Sequence, residues 1–389
     1  MGAPIDPIDL VDVDALLSGD ERRWRDSTRE LVHAHVLDDV EAWHDREHFP
    51  TELIEPIAAA GLLGMHLDGY GCAGASAVSY GLACMELEAG DSGIRSFVSV
   101  QGSLAMHALW RYGSDEQKDR WLPDMASGRA VGCFGLTEPT AGSNPAQMRT
   151  RARRDGGDWI LDGHKRWSTN GTIADVAIVW AHTDDGVRGF VVPAEADGFA
   201  SMPITGKRSL RVSAASELHL DGVRLPGAAV LPGAEGMSGP LHCLEEARYG
   251  IVWGALGAAR SCLEAAVAHA TTREQFGRPI GAFQLTQAKL VDMALELSKG
   301  LLLAVHLGRR KDAGDLVHVQ TSLGKLNSTR EALEIARTAR SILGGDGITD
   351  RFPVMRHMQN LETVITYEGT AEMHTLIVGE AMTGLRAFT

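Results

Sequence analysis

The sequence predicts an α+β protein with a helical N-terminal domain, a small middle domain that is a β-barrel or sandwich, and a C-terminal helical bundle. The predicted domains span 1–130, 131–242 and 243–389. Three observations support this division: apolar stripes at helical spacing near both ends, short β-prone runs between them, and an ordinary globular composition. The chain has 389 residues, of which 44% are hydrophobic, so it is long enough for two or three domains.

The first domain is predicted from apolar residues that recur at helical spacing. Thr51 precedes a stripe of such residues, which are Leu53, Ile54, Ile57, Leu62 and Leu63. A second helical pattern at 82–87 follows a glycine-rich stretch at 69–74. We therefore expect helices on both sides of that stretch.

The middle domain is predicted from short β-prone runs that are separated by turn signals. These runs lie at 159–161, 176–180, 190–192 and 217–220. Asp-Gly pairs at 155–156, 185–186 and 221–222 mark turns beside them. Several short strands at this spacing are typical of a small β-barrel or sandwich.

The C-terminal domain is predicted from a long stripe with nearly heptad spacing. Its members are Leu290, Met293, Leu297, Leu301 and Ala304. A stripe of this kind requires a partner helix, so it indicates a helical bundle.

Charge and cysteine usage exclude several classes of protein. The net charge of −14 disfavours a nucleic-acid partner, because phosphate binding requires a basic surface. The cysteines are scattered, form no CxxC pair, and are expected to be reduced thiols of a cytoplasmic protein without a metal site. They are Cys72, Cys84, Cys133, Cys243 and Cys262. Neither a secretory signal at 1–10 nor an apolar run of about 18 residues is recognisable, so no membrane insertion is expected.

The usual nucleotide-binding loops do not occur in the sequence. There is no GxGxxG after a strand and no GxxxxGK[ST], and the run GGDG at 344–347 is equally compatible with a helix C-cap. Composition and periodicity alone therefore indicate an enzyme-sized α-β-α protein and leave its chemistry open.

Four segments carry a family resemblance. They are CFGLTEPTAGSNP at 133–145, KRWSTN at 165–170, REQFGRPI at 273–280 and YEGT at 367–370. In this order they resemble the acyl-CoA dehydrogenases. Within that family, DSGIRS at 91–96 and ARYGI at 247–251 are similar to the glutaryl-CoA dehydrogenases.

The resemblance implies a fold, a reaction and partners. The fold would end in a four-helix bundle, and the enzyme would be a homotetramer with bound FAD. It would oxidise the α,β bond of an acyl-CoA, most closely glutaryl-CoA, with decarboxylation to crotonyl-CoA and CO2. An electron-transfer flavoprotein is the implied electron acceptor.

The resemblance also assigns substrate residues. Glu368 would be the base that removes the α-proton of the thioester, a task that suits a carboxylate whose pKa burial has raised. Arg95 would face the far carboxylate of the substrate, because a guanidinium can bond a carboxylate bidentately. The alternatives are an exposed helix cap for Glu368 and a salt-bridge arginine for Arg95. The other implied substrate residues are Glu88, Ser96, Tyr367, Ser143 and Arg248.

Flavin contacts follow in the same way. The residues implied to contact the flavin ring or its phosphates are Leu136, Thr137, Ser143, Trp167 and Thr169. Those implied to receive the pyrophosphate and adenosine of FAD from a neighbouring subunit are Arg273, Gln275, Phe276 and Gln284. Gly344, Gly345 and Thr370 would let the adenosine and phosphates approach closely.

Three other functions remain open from the sequence. The first is a dehydrogenase of another dicarboxylic or branched acyl thioester that does not decarboxylate and serves biosynthesis. The second is a flavin-free paralogue that binds acyl-CoA without catalysis. The third is an acyl-CoA oxidase or a flavin monooxygenase on the same scaffold.

Overall fold

The computed structural model describes residues 6–387, and its N-terminal part is helical up to residue 126, as the apolar stripes predict. The α-helices of this part are α1 (Gly19–His35), α2 (Val40–Arg46), α3 (Ile54–Ala59), α4 (Ala77–Gly90), α5 (Ser92–Ser99), α6 (His107–Tyr112) and α7 (Asp115–Ala126). The stripe that follows Thr51 is buried, with Ile54 packed at the edge of the core.

Two local features of the helical part position the residues of the site. Asp91 separates α4 from α5 and caps α5, since its carboxylate accepts a hydrogen bond from the N–H of Gly93 at 2.7 Å. Arg356 donates to the other oxygen of that carboxylate, also at 2.7 Å. Beyond α5 the chain continues as a π-helical segment, Val100–Met106, a geometry that is frequent at functional sites.

The middle part is a single seven-stranded sheet. Its strands are β1 (Gly132–Gly135), β2 (Arg151–Asp155), β3 (Asp158–Thr169), β4 (Val176–Thr183), β5 (Gly186–Pro193), β6 (Phe199–Pro203) and β7 (Ala215–Pro226). They follow the order β1-β4-β2-β3-β7-β6, and β5 also pairs with β4. Strands β1 and β2 run parallel to β4, and the remaining pairs are antiparallel. All four predicted β-prone runs lie in strands.

The C-terminal part is again helical. Its helices are α8 (Ser238–Thr272), α9 (Gln284–Asp312), α10 (His318–Leu343), α11 (Val354–Val364) and α12 (Ala371–Thr383). A short hairpin of β8 (Glu274–Gln275) and β9 (Arg278–Pro279) precedes α9. The heptad-like stripe lies on α9, where Met293, Leu297, Leu301 and Ala304 are buried in the core. The predicted need for a partner helix is confirmed, because α8 and α10 pack against α9.

Helix α8 joins the two helical parts of the chain. It packs against both α4 and α10, and its residues Ile251, Val252 and Trp253 are fully buried. Among residues 6–387 it alone is long and apolar enough to match a membrane span, but 67% of its most apolar window is buried inside the protein. It is therefore a core helix.

Candidate active site

A cavity of about 1030 Å³ lies where the three parts of the chain meet. Helix α5 contributes Arg95 and Ser96, and the sheet contributes Phe134 and Trp167. The turn between α11 and α12 contributes Glu368. A cavity of this size, with an apolar wall and a few convergent polar groups, is typical of a site for a cofactor or a large ligand.

The cavity brings together most of the residues that the sequence singled out. Those in its wall are Arg95, Ser96, Leu136, Thr137, Ser143, Trp167, Thr169, Arg248, Tyr367, Glu368 and Thr370. Trp167 is 54% exposed and has a positive φ of 63°, so it is not part of the core. Its ring therefore stands where a ligand can pack against it.

Glu368 occupies a tight turn of unusual backbone geometry. Its φ is 53°, a left-handed value that a residue other than glycine adopts only at a cost, and Gly369 follows with a φ of 103°. Thr370 ends the turn as the N-cap of α12. Arg248 supports the turn from α8, because its Nε donates to the carbonyl oxygen of Glu368 at 2.7 Å. The turn directs Glu368 into the cavity wall.

The Glu368 carboxylate is poised to accept a proton. Its Oε2 is buried and has no hydrogen-bond partner in the described part of the chain. Burial raises the pKa of this carboxyl, and the positive charges of Arg95, Lys325 and Arg248 oppose that rise. A carboxylate with these properties in a cavity is a candidate general base. The reading of Glu368 as an exposed helix cap is wrong, since Thr370 caps α12 instead.

Arg95 is both buried and ion-paired. Its Nε donates to Oε2 of Glu88 at 2.6 Å, and its Nη2 donates to the hydroxyl of Tyr367. Ser92 holds the second oxygen of Glu88 at 2.9 Å. Within residues 6–387, Nη1 of Arg95 makes no hydrogen bond, and the residue lines the cavity. Glu88 therefore orients Arg95 and leaves one face of the guanidinium for a ligand.

Glycine at position 254 is required by this ion pair. A Cβ built on Gly254 of α8 would collide with Oε2 of Glu88. The pair is packed directly against the α8 backbone, and this explains how two charged side chains can be fully buried at the end of the cavity.

Comparison with known proteins assigns the chain to a family. Models of the acyl-CoA dehydrogenase N-terminal, middle and C-terminal domains match residues 18–129, 133–223 and 234–383. The chain belongs to the acyl-CoA dehydrogenase family. It is 34% identical to the mitochondrial short-chain specific acyl-CoA dehydrogenase of Homo sapiens, a match that covers 86% of this chain and 83% of that protein.

Solved structures of this family are very similar to the chain. A crystal structure of glutaryl-CoA dehydrogenase from Mycobacterium smegmatis superposes with a TM-score of 0.98 at 63% identity, covering 99% of this chain and 100% of that one. A second glutaryl-CoA dehydrogenase from the same organism, in complex with FADH2, has a TM-score of 0.98 at 59% identity with the same coverage. The α+β fold expected of an acyl-CoA dehydrogenase is thereby confirmed.

Six of the predicted flavin residues do not line this cavity. They are Arg273, Gln275, Phe276, Gln284, Gly344 and Gly345. Gln275 and Phe276 border a separate cavity of about 310 Å³ near the β8–β9 hairpin, where Phe276 is 94% exposed. An apolar side chain this large and this exposed is typical of an interaction site. The contact of these residues with the FAD of a neighbouring subunit stays a prediction.

Sequence reasoning did not find Lys325, which also belongs to the site. Its side chain is fully buried on α10, and its Nζ donates to the carbonyl oxygens of Tyr367 and Gly369 at 2.8 Å each. The signal was present in the sequence, since Ser322 and Thr329 share its buried helix face. A lysine in the middle of such a stripe is rarely fully buried unless its ammonium group has bonding partners.

A second buried ion pair shapes the segment at 133–145. The carboxylate of Glu138 accepts hydrogen bonds from the N–H of Arg149 and Thr150 and from Nζ of Lys165, the last at 2.8 Å. These bonds lower the pKa of Glu138 to about 2, against the effect of its burial. Nζ of Lys165 also donates to the carbonyl of Leu136 at 3.1 Å. The pair thus fixes the chain beside the cavity.

Glu138→Gln should destabilise the protein by about 3 kcal/mol, because it leaves the Lys165 ammonium buried without its counter-charge. Urea unfolding followed by circular dichroism would measure this loss. Asp119→Asn, a change at an exposed acid on α7, is the matched control and should alter the free energy of unfolding by less than about 0.5 kcal/mol. Equal stability of the Glu138→Gln variant and the wild type would contradict this role of the pair.

Proposed function

We propose that the chain is an FAD-dependent glutaryl-CoA dehydrogenase that oxidises the α,β bond of its substrate and releases CO2 to give crotonyl-CoA. The observation that carries this proposal is the Arg95 guanidinium, which is buried at the cavity wall close to the Glu368 turn and whose Nη1 has no hydrogen-bond partner among residues 6–387. The similarity to two glutaryl-CoA dehydrogenases of Mycobacterium smegmatis supports it.

The cavity fits a flavin. Phe134, Leu136, Val100 and Leu104 give it an apolar wall, and the open face of Trp167 provides a surface for stacking. We assign Thr137, Ser143 and Thr169 to the polar groups of FAD, with Thr370 near its phosphates. Bound FAD supplies the acceptor for the hydride that leaves the β-carbon. Purified enzyme should therefore be yellow, and a colourless protein would favour the flavin-free paralogue.

Glu368 removes the α-proton in this proposal. As the proton leaves, negative charge grows on the thioester oxygen, which then requires fixed donors. The backbone N–H of Glu368 makes no hydrogen bond to any residue within 6–387, so it is free to donate to that oxygen. One residue thus supplies both the base and an oxyanion donor.

Arg95 holds the distal carboxylate. Glu88 is already the counter-charge of Arg95. A substrate carboxylate would therefore share the guanidinium with Glu88 and would not be held in an ion pair of its own. This shared arrangement suits a carboxylate that must leave as CO2. The electrons of the breaking bond delocalise through the new double bond into the thioester, and the protonated Glu368 returns its proton to the γ-carbon.

The second candidate is a dehydrogenase of another dicarboxylic or a branched acyl thioester. The Glu88–Arg95 pair is compatible with this candidate, because Glu88 remains the counter-charge of Arg95 when the bound acyl tail is neutral. Arg95 therefore does not require a substrate carboxylate as its counter-charge. Ser96, whose buried Oγ has no partner among the described residues, is placed to bond a polar tail in either case.

A substrate panel tests the proposal. Glutaryl-CoA should give a kcat/KM roughly tenfold to hundredfold above that of pentanoyl-CoA, which has the same number of acyl carbons and no carboxylate, because a charge-assisted bond to Arg95 is gained. Flavin bleaching under anaerobic conditions measures the rates. Equal rates, or faster reduction by pentanoyl-CoA, a branched acyl-CoA or another dicarboxylic acyl-CoA, would favour the second candidate.

The remaining assignments follow from the family. We propose an electron-transfer flavoprotein as electron acceptor and a homotetramer in which the β8–β9 region meets the FAD of a neighbouring subunit. We also place the enzyme in the cytoplasm, because its free cysteines are mostly buried and unpaired, as in a reducing compartment. Slow reaction of the reduced flavin with O2 would separate this enzyme from an oxidase or a monooxygenase.

A further inference from the structure

Lys325 lies directly beneath the turn that carries Glu368. Its Nζ donates to the carbonyl oxygens of Tyr367 and Gly369, which flank Glu368, at 2.8 Å each. Arg248 donates to the carbonyl between them, that of Glu368 itself, at 2.7 Å. Three successive carbonyls are therefore held by two cations from α10 and α8.

These hydrogen bonds hold the turn at 368–369, whose backbone geometry is unusual. Glu368 and Gly369 have positive φ values of 53° and 103°, and such a turn persists only when its surroundings determine it. Bonds from an ammonium group are stronger than those between neutral groups. Loss of Lys325 would release the carbonyls on both sides of Glu368 and so make the position of the Glu368 carboxylate less fixed.

The charge of Lys325 has no ordinary ion-pair partner. Within residues 6–387 no carboxylate lies within salt-bridge distance of its Nζ, and the anion that acts on it is Glu368. Burial lowers the pKa of Lys325 to about 7, while the Glu368 charge opposes this effect. The titratable and charged groups that face it are Glu368 and Tyr367 on the turn, Arg95 on α5, Arg248 on α8 and His374 on α12.

We propose that Lys325 is a positioning residue for the catalytic base: its buried ammonium fixes the left-handed Glu368 turn and adds to the positive charge of Arg95 and Arg248 that favours the ionised form of the Glu368 carboxylate. The inference rests on the proposed role of Glu368. A neutral amine would keep both carbonyl bonds, since it still has two N–H groups, but would lose the electrostatic effect. The two parts of the role are therefore separable by pH.

Lys325→Met in the FAD-loaded enzyme tests the inference. Without the nearby cation the pKa of Glu368 should rise, so the rising limb of the rate of flavin reduction should move up by about one pH unit, which is roughly a tenfold loss on that limb. The plateau at high pH should also fall, because the turn is no longer held. Hydrogen exchange of the amides at 365–372 should become faster.

Two further variants make the test decisive. Lys311→Met removes a lysine that binds Glu246 outside the cavity, so it should lower stability without moving the rising limb. Lys325→Gln keeps a donor without the charge, so it should shift the limb, and it replaces Lys325→Met if that variant does not fold. A limb that coincides with the wild-type limb in the folded Lys325 variants would overturn the inference.

The acyl-CoA that reduces the wild-type flavin fastest is used throughout, so the test does not depend on glutaryl-CoA being the substrate. Glu368→Gln is measured in parallel. Near-normal flavin reduction by Glu368→Gln would refute the base itself, whereas an unshifted limb in the Lys325 variants alone would refute only the positioning role.

Discussion

Glu368→Gln should retain FAD and lose flavin reduction by acyl-CoA. The amide has nearly the shape of the carboxylate but cannot accept the α-proton, so the rate should fall by about 10²–10⁴-fold. Anaerobic stopped-flow bleaching of the flavin measures this step directly. The visible spectrum and the FAD content of the variant should match those of the wild type.

Glu372→Gln is the matched control for that experiment. Glu372 is an exposed acid in the first turn of α12, only a short distance along the chain from the base. Its substitution should leave bleaching unchanged. Bleaching at near-normal speed by Glu368→Gln, with this control unaffected, would rule out the assigned base.

The pH dependence of the wild-type enzyme follows from the same carboxylate. In the proposed mechanism proton abstraction requires ionised Glu368, and burial raises the pKa of this residue above the ordinary value for glutamate. The rate of flavin reduction should therefore rise with pH along a limb that lies above pH 4.5, the ordinary glutamate value. A pH-independent rate across this region would contradict the role of Glu368.

Arg95→Met should damage glutaryl-CoA turnover far more than butyryl-CoA turnover. The variant removes the group proposed to bond the distal carboxylate, a loss worth about 2–5 kcal/mol or roughly 30-fold to several-thousand-fold in kcat/KM. Butyryl-CoA has no such carboxylate and serves as the internal control. Steady-state kinetics with both substrates on the same preparation would measure the ratio.

The internal control also accounts for stability. Arg95→Met leaves Glu88 buried without its partner, so some loss of stability is expected, and that loss affects both substrates equally. Arg95→Gln, which keeps a polar donor, should show a smaller difference between the two substrates. Equal losses on both substrates would mean that Arg95 supports the fold rather than the substrate.

Much of the fold could be predicted from local patterns. The buried stripe on α9 followed from Met293 and Leu297 at helical spacing, and strand β4 followed from a run of apolar residues between turn signals. Such signals are local, since side-chain periodicity depends only on the helix or strand that carries them. The motifs then predicted which segments meet at the cavity.

Contacts between residues that lie far apart in the sequence could not be predicted. The motif implied that Glu88 contributes to the substrate site, but not that its pair with Arg95 packs against Gly254 of another helix. Nor did it imply that Lys325 reaches the carbonyl of Gly369 from the middle of α10. Burial and partners of a charged side chain are properties of the packed structure, and spacing in one segment does not contain them. The positive φ of Glu368 likewise arises from tertiary contacts.

The residues predicted to contact the FAD of a neighbouring subunit have their partners in a second chain. Gln275 and Phe276 are highly exposed here, and nothing in the fold of one chain determines what covers them. Sequence motifs predicted their role through the family alone. Sedimentation of the purified enzyme, with a tetramer as the expected result, addresses that prediction.

Product analysis after a single anaerobic turnover with glutaryl-CoA tests the central claim most directly. If Glu368 removes the α-proton while Arg95 holds the distal carboxylate, each reduced flavin should be matched by one CO2 and one crotonyl-CoA. Accumulation of glutaconyl-CoA without CO2, or the absence of flavin reduction, would contradict the account.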